Sequence, residues 1–128
     1  MIYVDTSAAL KLVWSERESA AVTAVLNTRT DLVSSALLAV EARRGAIRND
    51  VRALPRVDLM LSQFTLLAIS EAIIESASRL PDPTLRSLDA IHLATALLVR
   101  EDIDALVSYD DRLLASAAAH GISTASPA

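Results

Sequence analysis

The chain contains no cysteine, which excludes disulfides, iron–sulfur clusters and thiolate zinc sites. Its two glycines, Gly45 and Gly121, are too few for a P-loop or a GxGxxG dinucleotide loop. Two histidines, His92 and His120, cannot build a multi-histidine zinc site. No apolar run reaches the roughly 18 residues of a membrane span. The opening Met1-Ile2-Tyr3-Val4-Asp5 lacks the basic start of a secretory leader, so the chain is expected to be soluble and cytoplasmic, with no membrane partner. Lysine is nearly missing as well: eleven of the twelve cations are arginines, and Lys11 is the exception.

What remains is apolar and acidic. Hydrophobic residues make up 52% of the 128, with mean hydropathy +0.38, enough to build a core without staples. The net charge of −4 argues against a generic nucleic-acid binder, but it hides a local excess of the other sign. Five arginines fall between Arg43 and Arg56, opposed there by Asp50 alone.

Short apolar runs alternate with helical stretches. Ile2–Val4 reads as a first strand, and Ser15-Glu16-Arg17-Glu18 as a capping box ahead of a helix. Leu32–Ser34 is a second strand, and a long helix is expected from Ala36 to about Val51, with Pro55 ending or restarting it. A third strand is expected at Thr65–Ile69, Ser70 as an N-cap and a helix over Glu71–Leu80. Ser87–Arg100 is a strongly apolar helix, Ala105–Tyr109 a fourth strand, and Asp111–His120 a helix stopped by Gly121. Ile122–Thr124 offers a small fifth strand. This order predicts one α/β domain spanning residues 1–128: a three-layer α/β/α sandwich on a short, mainly parallel sheet. Sites in such sheets lie beyond the carboxyl ends of the strands.

Acids stand at those ends. Asp5 follows the first strand and Asp110 the fourth; were these strands neighbours, the two acids would lie roughly 5 Å apart. Either acid alone also suits a helix N-cap. Glu41 is the first charge in an apolar half-helix, with Arg44 available as an ion-pair partner three residues on. Asp89 sits among Leu88, Ala90, Ile91 and Leu93, with His92 and Arg86 as local partners. Together, four carboxylates converging on one sheet edge favour a hard cation with oxygen ligands.

Four segments carry a resemblance. Val4-Asp5-Thr6-Ser7, Val40-Glu41-Ala42-Arg43, Leu88-Asp89-Ala90-Ile91-His92-Leu93-Ala94-Thr95-Ala96 and Val107-Ser108-Tyr109-Asp110-Asp111-Arg112-Leu113 resemble, in order and over the whole chain, the PIN-domain nucleases. The likeness is strongest to VapC toxins of bacterial type II toxin–antitoxin pairs. It implies Asp5, Glu41, Asp89 and Asp110 as catalytic, metal-binding acids, with Asp111 a fifth acid beside them. Thr6 or Ser7 and Ser108 would be hydroxyls orienting those carboxylates. Ser108 stands where the family more often has threonine. His92 would be a satisfied core histidine. The resemblance further implies an Mg²⁺- or Mn²⁺-dependent endoribonuclease that leaves a 5′-phosphate and a 3′-hydroxyl. Its implied partners are an RNA substrate, a small cognate antitoxin that occludes the acids with a basic side chain, and a second copy in a symmetric homodimer.

The rival reading keeps the PIN-like fold as an inactive RNA- or protein-binding module. Aspartyl phosphatases fall behind because Asp5-Thr6-Ser7-Ala8 lacks their second acid, and receiver domains because they need a late lysine. Arg44, Arg48 and Arg52 recur every fourth residue and are expected to form one stripe along the Glu41 helix, either a solvated face or a guide for an RNA backbone.

Overall fold

The computed structural model describes all 128 residues. Five parallel strands run in the order β3-β2-β1-β4-β5: β1 Ile2–Val4, β2 Leu32–Ser35, β3 Phe64–Leu67, β4 Ala105–Val107 and β5 Thr124–Ala125. Seven α-helices connect them: α1 Thr6–Ala9, α2 Ser19–Leu26, α3 Leu37–Asn49, α4 Leu54–Leu61, α5 Glu71–Ser78, α6 Ser87–Leu98 and α7 Asp111–Ala119. This is the α/β/α sandwich expected of the alternation, and β1 and β4 are neighbours, with Val4 opposite Val107.

Strand alternation divides the core in two. Ile2, Val4, Leu32 and Val107 turn toward Leu26, Leu38, Ala42, Val57 and Met60 on one face. Tyr3, Val33 and Leu106 turn the other way, onto Leu93, Ala96, Leu113 and Ala117 of α6 and α7. Both faces of β1 are therefore dry, and Asp5 leaves its end already buried. No helix is long and apolar enough to cross a membrane.

Several boundaries differ from expectation. The helix predicted from Ala36 to Val51 stops at Asn49, because Asp50 is extended and its side chain caps a 3₁₀ turn, Val51–Ala53, by accepting from the Arg52 backbone N–H. Pro55 then sits in the first turn of α4, where a missing N–H costs nothing. The third strand is Phe64–Leu67 rather than Thr65–Ile69, and the fifth is Thr124–Ala125 rather than Ile122–Thr124. The helix after Ser70, whose Oγ accepts from the Ile73 N–H, ends at Ser78. The capping box at Ser15–Glu18 does not form. Lys11 draws both glutamates, Glu16 and Glu18, to 2.8 Å, and Ser19 Oγ accepts from the Glu16 N–H instead.

Leu106 is fully buried on the central sheet. Leu106→Ala is expected to cost about 2–5 kcal/mol of stability, read from the urea midpoint at unchanged slope.

Candidate active site

Asp5 follows β1 directly and caps α1. Its Oδ1 accepts from the Ala8 N–H at 3.0 Å and from Ser7 Oγ at 2.7 Å, and its Oδ2 accepts from Ser108 Oγ at 2.7 Å. Ser7 and Ser108 also carry the far side of the site, since Ser7 Oγ accepts from the Tyr109 N–H and Ser108 Oγ from the Asp110 N–H. Asp110 caps α7: its Oδ1 takes the N–H groups of Arg112 and Leu113 at 2.9 and 3.0 Å. N-capping thus occupies one oxygen of Asp110 and leaves Oδ2 with no donor.

Glu41 lies one turn into α3. Its Oε1 accepts from Thr6 Oγ1 at 2.6 Å and from His92 Nε2 at 2.9 Å, and Oε2 takes no donor. Asp89, in the first turn of α6, accepts no side-chain hydrogen bond and is half-buried. Neither local arginine pairs with these acids: Arg44 makes no ion pair with Glu41, and Arg86 makes none with Asp89. His92 is a satisfied core histidine, but its partner is Glu41, 51 residues away, rather than Asp89 three residues back. That contact was not legible in local spacing; the one sequence signal was a histidine on the helix that carries Asp89.

Electrostatics link the four acids. Burial pushes the Asp89 carboxyl up, and the charge of Asp110, then those of Asp5 and Glu41, push it further against the pull of His92. Burial also raises Asp5 despite its bonds from Ser108, Ser7 and Ala8. Glu41 goes the other way: burial would raise it, but the bonds from His92 and Thr6 outweigh that and bring it below the ordinary range. Asp111 is exposed in the first turn of α7.

No three of these side chains close into a cation cage. The donor set nevertheless suits a hard divalent ion. It is all oxygen, it gathers like charges without a lysine or arginine between them, and Glu41 and Asp110 each keep one oxygen clear of the bonds that fix the other.

Arg44 and Arg48 are exposed on α3, on the face of Glu41, and form no ion pair. Arg52 leaves that stripe. It stands on the 3₁₀ turn, 87% exposed, with its Nε 3.0 Å from Asp50 Oδ1. Arg43 pairs with Asp58 at 3.0 Å.

A PIN-domain family model matches residues 2–122. Ribonuclease VapC35 of Mycobacterium tuberculosis is 40% identical over 131 aligned positions, covering 99% of this chain and 97% of that protein. Ribonuclease VapC47 of the same species is 38% identical over 132 positions, with the same coverage of 99% and 97%. Among solved structures, a toxin–antitoxin complex from Klebsiella pneumoniae superposes with a TM-score of 0.78 at 25% identity, covering 100% of this chain and 98% of that one. The chain belongs to the PIN-domain family, within its VapC ribonuclease branch.

The raised carboxyls give a pH prediction. An acid whose folded pKa lies above its ordinary value, 3.8 here, withdraws stability as pH rises through the interval between the two. Asp89→Asn is therefore expected to raise the melting temperature by a few degrees at pH 7 in chelator. The gap should shrink as pH falls toward the ordinary carboxylate range, as the native carboxyl takes up its proton. Manganese should raise the wild-type midpoint and leave that of the variant nearly unmoved.

Proposed function

We propose that residues 1–128 act as one nuclease domain, an endoribonuclease that hydrolyses RNA phosphodiesters with Mg²⁺ or Mn²⁺ held by Asp5, Glu41, Asp89 and Asp110, and serves as the toxin of a toxin–antitoxin pair. The observation that carries this reading is geometric: Ser108 bonds both Asp5 and the Asp110 N–H, and Thr6, next to Asp5, bonds Glu41, in a chain whose relatives are named ribonucleases. When bound, the cation supplies a lowered pKa to a water and offsets charge building on the phosphodiester. The chain's own part is positioning. Ser7, Ser108 and the Ala8 N–H hold Asp5, the α7 N-terminus holds Asp110, and Thr6 with His92 holds Glu41. Asp89 receives no such restraint and is the acid freest to follow a ligand.

Arg44 and Arg48 extend the site along α3, reaching roughly 10 Å beyond Glu41 at 1.5 Å of rise per residue. Unpaired guanidiniums in that position suit an RNA backbone. The toxin–antitoxin assembly among the structural neighbours supports an antitoxin partner; on this reading that partner would cover the acids with a basic side chain. The exposed Ile74, Leu88 and Leu98 of α5 and α6, 49–64% accessible, support a homodimer. α7 offers less to such a contact, because Leu113 and Ala117 are spent on the core.

Asp5→Asn is expected to abolish divalent-metal-dependent RNA cleavage with the circular dichroism spectrum unchanged. Cleavage by the variant at the wild-type rate would refute the assignment of these acids, and no metal-dependent cleavage by the wild type would favour the inactive binding module. Converting Arg44 and Arg48 together to Gln, in an Asp5→Asn background, is expected to weaken RNA binding. It should also flatten the dependence of log K on log salt by roughly 0.7 per lost single-strand phosphate contact, measured by fluorescence anisotropy. Arg52→Gln should leave that slope where it was. Light scattering at micromolar concentration should give twice the 13.7 kDa chain mass; 13.7 kDa alone would remove the dimer.

A further inference from the structure

A buried relay stands behind Glu41. Tyr3 Oη lies 2.8 Å from His92 Nδ1, and His92 Nε2 lies 2.9 Å from Glu41 Oε1 and 3.2 Å from Thr6 Oγ1. Tyr3 is 0% exposed and His92 2%. Donor arithmetic fixes the tautomer of the neutral ring. The Thr6 hydroxyl hydrogen is already given to Glu41 Oε1 at 2.6 Å, so it cannot serve Nε2. Were the ring hydrogen on Nδ1, the bare Nε2 lone pair would face a carboxylate oxygen with no donor between them, a costly arrangement in a dry setting. With the hydrogen on Nε2, it points to Glu41, Nδ1 accepts from the Tyr3 hydroxyl, and every buried polar side-chain atom keeps a partner.

We infer that Tyr3 and His92 are positioning residues for Glu41: the tyrosine holds the imidazole as the Nε2–H tautomer, and the imidazole with Thr6 pins Oε1 so that Oε2 is the oxygen presented to the cation. This rests on the reading of Glu41 as a metal ligand. The placement favours a positioning role over mere filling of the core. Tyr3 is two residues before Asp5 on the same face of β1, His92 is three residues after Asp89 on α6, and Glu41 is on α3. One chain of hydrogen bonds therefore ties together the three elements that carry those acids. Histidines that orient a metal-binding carboxylate act through such outer contacts, whose loss typically weakens metal binding by about 10–100-fold.

The test is calorimetric titration of Mn²⁺ into the full chain as wild type, Glu41→Gln, His92→Leu, His92→Gln and Tyr3→Phe, with ¹⁵N spectra of the histidine ring at pH 8. His92→Leu should weaken Mn²⁺ binding by about 10–100-fold. His92→Gln, whose amide N–H can replace Nε2–H, should stay close to wild type. Tyr3→Phe should fall between them. The wild-type spectrum should show the Nε2–H tautomer, and the Tyr3→Phe spectrum a mixture. Wild-type affinity in His92→Leu beside a weakened Glu41→Gln would overturn the inference alone, as would an Nδ1–H ring in the wild type. Wild-type affinity in Glu41→Gln, or no Mn²⁺ binding by the wild type, would remove the ligand reading and this inference with it. If His92→Leu fails to fold, Tyr3→Phe and the ring spectrum decide: wild-type affinity and an unmixed tautomer in Tyr3→Phe would overturn the inference.

Discussion

Carboxylates repel one another, and the rest of this structure is organised around holding Asp5, Glu41, Asp89 and Asp110 together against that repulsion. For Asp5, Glu41 and Asp110 the restraint comes from hydrogen-bond donors rather than from lysine or arginine, and Asp89 is held by its place on α6 alone. Two of the acids cap helices, a third lies in the first turn of another, and the fourth is gripped by a hydroxyl and an imidazole. A parallel sheet makes this possible, because every strand delivers its carboxyl end, and the following helix its N-terminus, to the same edge. An antiparallel arrangement would divide those donors between two edges and leave the acids without them.

Strand alternation then decides what can stand behind the acids. Tyr3 and Asp5 share one face of β1, while Val4 between them packs on the other. The polar line from Tyr3 through His92 to Glu41 is therefore buried beside aliphatic neighbours such as Leu93 and Leu106, where each hydrogen bond is strengthened and each omission costly. Ser34 and Ser35, also buried, are satisfied in the same economical way. Ser34 donates to the Val4 carbonyl, and Ser35 Oγ accepts from the Leu37 N–H at the start of α3. The edge is polar in its interior and yet leaves no buried side-chain atom unpartnered.

How much of this was legible in the sequence follows the range of the interactions. The strands, the helices, the parallel order and the four acids at strand ends and helix starts are local in origin, and periodicity and capping chemistry carry them. The end of α3 is not legible because Asp50 reads as one more helix residue, whereas its side chain caps the next turn and so moves Arg52 off the stripe. The capping box at Ser15 failed for a long-range reason, the pull of Lys11 on Glu16 and Glu18. The partner of Glu41 is the contact least legible in the sequence. Arg44 had the right spacing and the right charge, but an exposed arginine can remain in water, whereas a buried imidazole must find an acceptor.

An acidic edge is a poor landing place for a polyanion, and the chain as a whole carries −4. On the proposed reading, attraction for RNA comes from what lies beside the acids. The arginines divide on this point by their partners. Arg43 is neutralised by Asp58 and Arg52 by Asp50, while Arg44 and Arg48 form no ion pair and stand on the helix face that begins with Glu41. Ion pairs at exposed positions contribute little to stability, so the pairing of Arg43 and Arg52 matters less for the fold than for which guanidiniums remain free. The same helix thus presents carboxylate first and unpaired guanidinium one and two turns later. On the proposed reading, a phosphate backbone lying along α3 would meet the two arginines before its scissile group reached Glu41, which would give that surface a direction as well as a sign.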